Sequence, residues 1–381
     1  MLTILFSLTV TSTQTIRLDQ SWSNDSVEIN IIQKKTPEIA KIPVLWADEE
    51  SNTLYRWGGR RPGDGKTGED EATLWAFTPD SEGGGSWSSQ PPSNPSVFED
   101  IIAGSAGAFG VCGRTGITAG GLAFEATDAR LEDNVTPLPG LLTYDFGTRA
   151  WANESTVPIN SPDGTFIVSS GVCVPELVSD PLFFVLGGST TSPVTIQESE
   201  LRSFRNITFF NPATSTWHWQ EAKGDVPSGR DQQCAVGVQG QNGTYEMYVL
   251  LFPWFLCLFT SFFYPSVCYS TNKTRSFVYG GKHPVDGILN DIYVLSIPGF
   301  EWFRVDVQST PRHAHACTTV GKRQMLVTGG LGDLGDWKEQ DTWQHGLGVF
   351  DMSTLEWSSG YDADAADYET PQMIQDWYNE G

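Results

Sequence analysis

The chain has 381 residues, with 39 Gly, 22 Pro and 14 Trp, 12% aromatic and only 18% charged residues. That is enough for one large domain or two ordinary ones, and Gly and Pro scattered among apolar runs predict many turns between short strands rather than low-complexity disorder. Lys and Arg number 23 against 46 Asp and Glu, a formal charge of −23 that argues against nucleic-acid binding and fits plain solubility or recruitment of a cation or basic partner.

The chain opens on "MLTILFSLTVTSTQ", a short apolar stretch followed by small polar residues. Its length suits a signal-peptide core over residues 1–14, although the usual preceding basic residue and an A-x-A site are missing. Residues 16–23, "IRLDQSWS", place an Asp before a Trp with no Gly pair ahead of them. A longer pattern then begins: an apolar strand ending in a Gly pair, a polar connection, a second apolar strand, and a Trp. It runs through Gly58, Gly59, "LWAF" and Trp87; Gly120, Gly121, "LLTYD" and Trp151; and Gly187, Gly188, "ITFFN" and Trp217. It continues through Gly280, Gly281, "IYVLS" and Trp302, and ends with Gly329, Gly330, "LGVFD" and Trp357. From second Gly to Trp the spacings are 28, 30, 29, 21 and 27 positions.

These five copies, over residues 54–357, resemble the kelch repeat. The resemblance implies an all-β fold, a β-propeller with one four-stranded sheet per repeat. The Gly pair is expected to end each second strand where the backbone turns tightly, and the aromatic and Trp to fill the gap between blades. Six blades are expected, the sixth built from both chain ends. In that blade residues 16–23 supply the third and fourth strands and residues 371–381 an inner strand.

The intervals from each Trp to the next Gly pair test the repeat: 33, 36, 63 and 27 positions. Removing residues 249–277 from the long one leaves 34 and the reading "NGTYEMYVYGG", so the excess falls inside a strand. Three readings account for it. Residues 248–269 carry no charge and have the length of a membrane span, though Pro253 and Pro265 interrupt a helix there and a span would split the ring across a membrane. A surface insertion would expose a long aromatic strip. A retained intervening sequence accounts for the position, the composition and the repair on deletion.

Sequons at Asn24, Asn134, Asn153, Asn206, Asn242 and Asn272 favour a secretory route, as an N-glycoprotein. Six cysteines show no zinc spacing. Cys112, Cys173, Cys234 and Cys317 fall on first strands, where they read as small packed residues, with disulfide pairing open in an oxidising compartment. His313 and His315 share a strand face, a geometry that suits a metal pair, but a similar lead-in one repeat earlier carries no His, which favours a structural role. No nucleophile elbow or P-loop occurs, and no catalytic, cofactor or metal residue is assigned.

The resemblance extends to the secreted and cell-surface kelch proteins of filamentous fungi, many of which carry a membrane anchor beyond the propeller. It implies a monomeric, non-catalytic binding module for a protein or glycan ligand, with contact loops at residues 60–71 and 330–344. Two alternatives stand beside it: an extracellular enzyme similar to galactose oxidase, and a single-pass membrane protein using residues 248–269.

Overall fold

The computed structural model describes residues 2–5, 12–33, 36–61, 73–131, 135–154, 165–175, 180–191, 200–230, 233–240, 243–250, 282–283, 287–288, 291–309, 313–331, 341 and 343–380. Among them the fold is all-β, built chiefly from five four-stranded antiparallel sheets, each a simple meander. Sheet I holds Val44–Asp48, Thr53–Trp57, Trp75–Pro79 and Gly85–Ser89. Sheet II holds Ala108–Cys112, Thr115–Ala119, Leu141–Asp145 and Trp151–Glu154. Sheet III holds Ser170–Val174, Leu182–Leu186, Asn206–Asn211 and Thr216–Glu221. Sheet IV holds Cys234–Gln239, Tyr245–Leu250, Ile292–Ile297 and Glu301–Val305, with Lys223–Gly224 added in parallel at its edge. Sheet V holds His313–Val320, Gln324–Leu331, Leu347–Asp351 and Glu356–Ser358.

Alternation along the strands gives each sheet two buried faces. In sheet IV, Tyr245, Met247 and Val249 pack with Val172, Phe184 and Leu186 of sheet III. Tyr248, between them, packs with Met325, Val327 and Phe350 of sheet V. Similar apolar layers separate sheets I and II and sheets II and III. The first strands of the five sheets lie side by side in chain order.

Three of the four described Gly pairs sit at joints between consecutive sheets, whereas Gly329 and Gly330 lie inside the second strand of sheet V. Both residues of each pair are left-handed, with φ of 57° and 95° at Gly58 and Gly59, 71° and 100° at Gly120 and Gly121, 53° and 78° at Gly187 and Gly188, and 66° and 97° at Gly329 and Gly330. The second glycine donates its N–H to the segment leading into the next sheet: Gly59 to Gly104 O (2.9 Å), Gly121 to Phe166 O (2.7 Å) and Gly188 to Arg230 O (2.7 Å). Gly280 and Gly281 lie outside the described residues.

The third-strand residue opposite each Trp is fixed by register. Phe77 pairs with Trp87, Tyr144 with Trp151, Phe210 with Trp217, Leu295 with Trp302 and Phe350 with Trp357. Only Trp151 and Trp302 are fully buried; Trp87, Trp217 and Trp357 are half-buried on outer strands. Filling of the space between sheets therefore falls mainly to the aliphatic and aromatic residues of the central strands.

Several expectations are corrected. Residues 371–381 were expected to supply a strand, but Gln372–Glu380 is an α-helix. Pro371 occupies its first turn, where a missing N–H costs nothing, and Ile374 is its buried anchor. Residues 16–23 are not a strand pair of one blade. Ser12–Arg17 is the middle strand of a three-stranded sheet with Leu2–Leu5 and Ile29–Gln33, while Trp22–Ser23 pairs with Gly360–Tyr361. This N-terminal sheet meets sheet V through Ile16, Leu18, Trp22, Leu326 and Val349, and meets sheet I where Trp87 Nε1 donates to Thr13 Oγ1 (2.8 Å).

The four first-strand cysteines form disulfides, Cys112–Cys173 between sheets II and III and Cys234–Cys317 between sheets IV and V. Side-by-side first strands bring their Cα atoms to 5.3 and 5.8 Å, within bridging range. Val249 and Leu250, expected to begin the insert, belong to the second strand of sheet IV, where Val249 pairs with both Ala235 and Tyr293. A membrane span starting at Tyr248 loses its first three residues to that strand; residues 251–281 lie outside the described residues. Among the described residues no helix is long and apolar enough to cross a membrane.

The joints set a stability prediction. A Cβ on Gly120 would stand 2.3 Å from Phe166 O, whereas one on Gly113, at a similar φ of 60°, meets nothing within 4 Å. Gly113→Ala is expected to lose only the left-handed penalty of about 1–2 kcal/mol. Gly120→Ala must also displace backbone and is expected to lose roughly 3 kcal/mol or more. Equilibrium urea unfolding measures both, and equal losses would contradict the close-contact role of the pair.

Candidate functional site

An uncharged cleft of about 390 Å3 opens beside sheet V, lined by Asn24, Gln308, Ser309, Trp343, Leu347, Gly348, Trp357 and Ser358. Three distant segments build it. Trp357 stands on the fourth strand of sheet V, held edge-on to Phe350 at a centroid distance of 5.2 Å. Trp343 lies in the connection between the second and third strands, its N–H donating to Asp341 Oδ1 (2.8 Å). The Trp343 ring lies over Gly348, where a Cβ would stand 2.5 Å from it, and meets Trp357 at 5.1 Å and 54°. Asn24 follows the short Trp22–Ser23 strand and is fixed by its N–H donating to Ser359 O (2.8 Å). Gln308 and Ser309 come from the lead-in to sheet V.

Two tryptophans offer apolar faces, and amide and hydroxyl groups surround them. Asn24 Oδ1 and Trp357 Nε1 are shielded from solvent and have no hydrogen-bond partner among the described residues. A neutral ligand with both apolar C–H faces and hydroxyls matches this lining; no side chain in it carries a charge to meet a phosphate or carboxylate.

The sequence-derived site residues scatter. Asn153 and Asn206 are exposed and Asn24 is half-buried in the cleft, while Asn134, Asn242 and Asn272 lie outside the described residues. His315 is buried on the first strand of sheet V. Among the described residues no group of three or more His, Cys, Asp or Glu is placed to hold a metal ion. Most of the expected contact loops at 60–71 and 330–344 also lies outside the described residues, but the second includes Trp343, on the cleft. Sequence reasoning missed the cleft because residues 24, 308, 343 and 357 meet only after folding; the extra Trp in "DTWQHGLGVFD" is its one visible sign.

Two buried ionic groups serve the joints. Arg230 Nη1 pairs with Asp291 Oδ1 at 3.2 Å, both almost fully buried, beside the carbonyl that receives Gly188 N–H. Arg202 donates to Val185 O and Gly187 O (3.2 Å each) and to Thr208 Oγ1 (2.9 Å), with its guanidinium 4.4 Å from the Phe166 ring. Burial pushes the Arg202 guanidinium down to about 10, which leaves it charged at neutral pH.

A third group, Glu246, lies buried in sheet IV beneath the C-terminal segment, accepting from Ser296 Oγ at 3.2 Å. Its Oε2 converges with Thr244 Oγ1 and Thr370 Oγ1 beside Gly240. Burial raises its pKa, against the hydroxyls of Thr244, Ser296, Tyr368 and Thr370, which lower it. Tyr248 and Tyr368 share a hydroxyl contact of 3.0 Å in the same layer. This lone carboxyl sits inside the packing and faces no cleft residue, which suits a structural role.

No family model matches the chain. Acyl-CoA-binding domain-containing protein 5 of Arabidopsis thaliana is 30% identical over 84 residues, 21% of this chain and 12% of that protein. Acyl-CoA-binding domain-containing protein 4 of the same plant is 30% identical over 98 residues, 25% of this chain and 13% of that protein. The chain thus spans about one-eighth of the length of these relatives.

The raised Glu246 fixes the sign of a pH effect. Its native state holds the proton more tightly, so its contribution to stability is complete below the usual glutamate value of about 4.3 and is lost as pH rises through the raised native value. Glu246→Gln is expected to gain stability relative to the parent as pH rises from 4 to 8. Thermal unfolding across that range checks this, and a difference independent of pH would contradict it.

Proposed function

We propose that this chain is a kelch-type β-propeller that reaches the secretory pathway and acts as a non-catalytic binding module for a neutral glycan. Five meander sheets joined by Gly pairs support the propeller reading. The sixth blade in this reading is built from the N-terminal sheet beyond the leader-like residues 1–14, set against sheet V through Ile16, Leu18 and Trp22 and closed by the pairing of Trp22–Ser23 with Gly360–Tyr361. Two disulfides and the exposed Asn153 and Asn206 sequons support an oxidising, glycosylating route to the cell surface or beyond.

The observation that carries the ligand class is the lining of the cleft: two indoles among amides and hydroxyls, with no charge. Indole faces meet the C–H face of a sugar, while amides and hydroxyls meet its hydroxyl groups. The volume of about 390 Å3 lies at the small end of ligand pockets and suits one or two sugar residues. The acyl-CoA description of the two relatives is not extended to this chain, because the matched stretch is short and the cleft offers no cation for phosphate.

Protein made in an oxidising host that attaches no N-glycans, such as the bacterial periplasm, provides the test. It is expected to bind neutral oligosaccharides on an array, and Trp343→Ala is expected to weaken that binding at least tenfold, or about 1.4 kcal/mol. Selective binding of anionic ligands, or unchanged binding by Trp343→Ala, would overturn the ligand class.

A further inference from the structure

Asn24 lines the cleft and is also the acceptor of an Asn-Asp-Ser sequon. Its backbone is pinned to Ser359, and its Oδ1 is shielded from solvent with no hydrogen-bond partner among the described residues. Nδ2 is the atom that carries an N-linked sugar. The neighbouring surface is the uncharged indole pair of Trp343 and Trp357. Asn153 and Asn206 differ, being exposed residues on strands.

We infer that Asn24 is glycosylated and that the first sugars of its glycan seat against Trp343 and Trp357, so that the cleft takes an external neutral glycan only in molecules that carry no sugar at Asn24. This inference rests on the secretory reading above. The donor class is a lipid-pyrophosphate-linked oligosaccharide. The bond from sugar C1 to the pyrophosphate oxygen breaks, a C1–Nδ2 bond forms, Nδ2 loses one proton, and the lipid pyrophosphate leaves with the bonding electrons. Chain order makes the placement feasible. Asn24 enters the compartment long before Trp343 and Trp357 are synthesised, so the sheet V wall assembles around a sugar already in place. The cleft then has two states. With the glycan it is filled by the chain itself; without it, it is open to a neutral sugar from outside.

The full chain secreted from a glycosylating eukaryotic host is the material for the test. Glycopeptide mass spectrometry is expected to find sugar on Asn24, Asn153 and Asn206. Brief treatment of the native protein with peptide N-glycosidase is expected to release the Asn24 glycan at least tenfold more slowly than the other two. Trp343→Ala is expected to remove that protection. Ser26→Ala, which cancels only this sequon and keeps Asn24, is expected to bind neutral oligosaccharides as the periplasmic protein does, while secreted parent molecules that carry the Asn24 glycan do not; Asn24→Gln serves as a second variant. Sugar on Asn153 and Asn206 but not on Asn24 would overturn the inference, as would equal release from all three sites. Absence of sugar at every site would overturn the secretory reading beneath it. A protected Asn24 glycan with no external binding by Ser26→Ala would uphold the glycan seat and overturn the external ligand.

Discussion

At three of the joints the amide of the second glycine donates to a carbonyl on the chain entering the next sheet. Gly59, Gly121 and Gly188 all make this bond, at 2.7–2.9 Å. Two backbones touch there with no side chain between them, which sets how closely consecutive sheets stand. A side chain at the first glycine would run into the segment leading into the next sheet: into Gly104 O from Gly58, Phe166 O from Gly120 and Gln233 from Gly187. The apolar layers between sheets are then filled to that spacing, and the first strands lie near enough for Cys112 to reach Cys173 and Cys234 to reach Cys317. In the chain-entropy treatment, crosslinks spanning 61 and 83 residues each stabilise by about 4 kcal/mol. Removing one partner of the buried Arg230–Asp291 pair at a joint costs about 3–5 kcal/mol.

The repeating joints leave little room for chemistry. The cleft arises where the repeat stops being regular, at the meeting of the two chain ends beside sheet V. The Trp22–Ser23 and Gly360–Tyr361 pairing fixes Asn24 against Ser359, and the lead-in to sheet V brings Gln308 and Ser309 alongside. Trp357 belongs to the repeat and is held by its partner Phe350; Trp343 does not belong to it and supplies the second indole. The scaffold thus orients one aromatic surface and the departure from the scaffold adds the other.

Local signals were legible and long-range ones were not. Gly pairs, the strands before them and the cross-strand Trp pairings follow from residue type and spacing, because backbone sterics and strand alternation act over a few residues. The C-terminal helix carried its own local sign, Thr370-Pro371 followed by apolar residues at 373, 374, 377 and 378, but the expectation of a composite blade outweighed it. Cysteine pairing was hidden because it depends on which first strands become neighbours. The role of Ser12–Arg17 was hidden by its apolar, leader-like setting; in the fold Ile16 is buried and Thr13 receives Trp87. Asn24 was visible as a sequon, but its place in a cleft depends on segments more than 280 positions away.

The fourth joint tests the account at its hardest point. Tyr245–Leu250 already forms the second strand of sheet IV, with Val249 buried against sheet III, while Gly280 and Gly281 stand 30 positions or more along the chain from Leu250. Val249 and Val278 are the same residue type, so deleting 250–278 gives the same "TYEMYVYGG" as deleting 249–277. Either cut puts the Gly pair where the other joints have theirs. The most direct measurement is the reversible unfolding of that deletion variant beside the parent. The account predicts one cooperative transition, at least as stable as the parent, with both disulfides retained. Aggregation, or a loss of stability comparable to disrupting a joint, would contradict it.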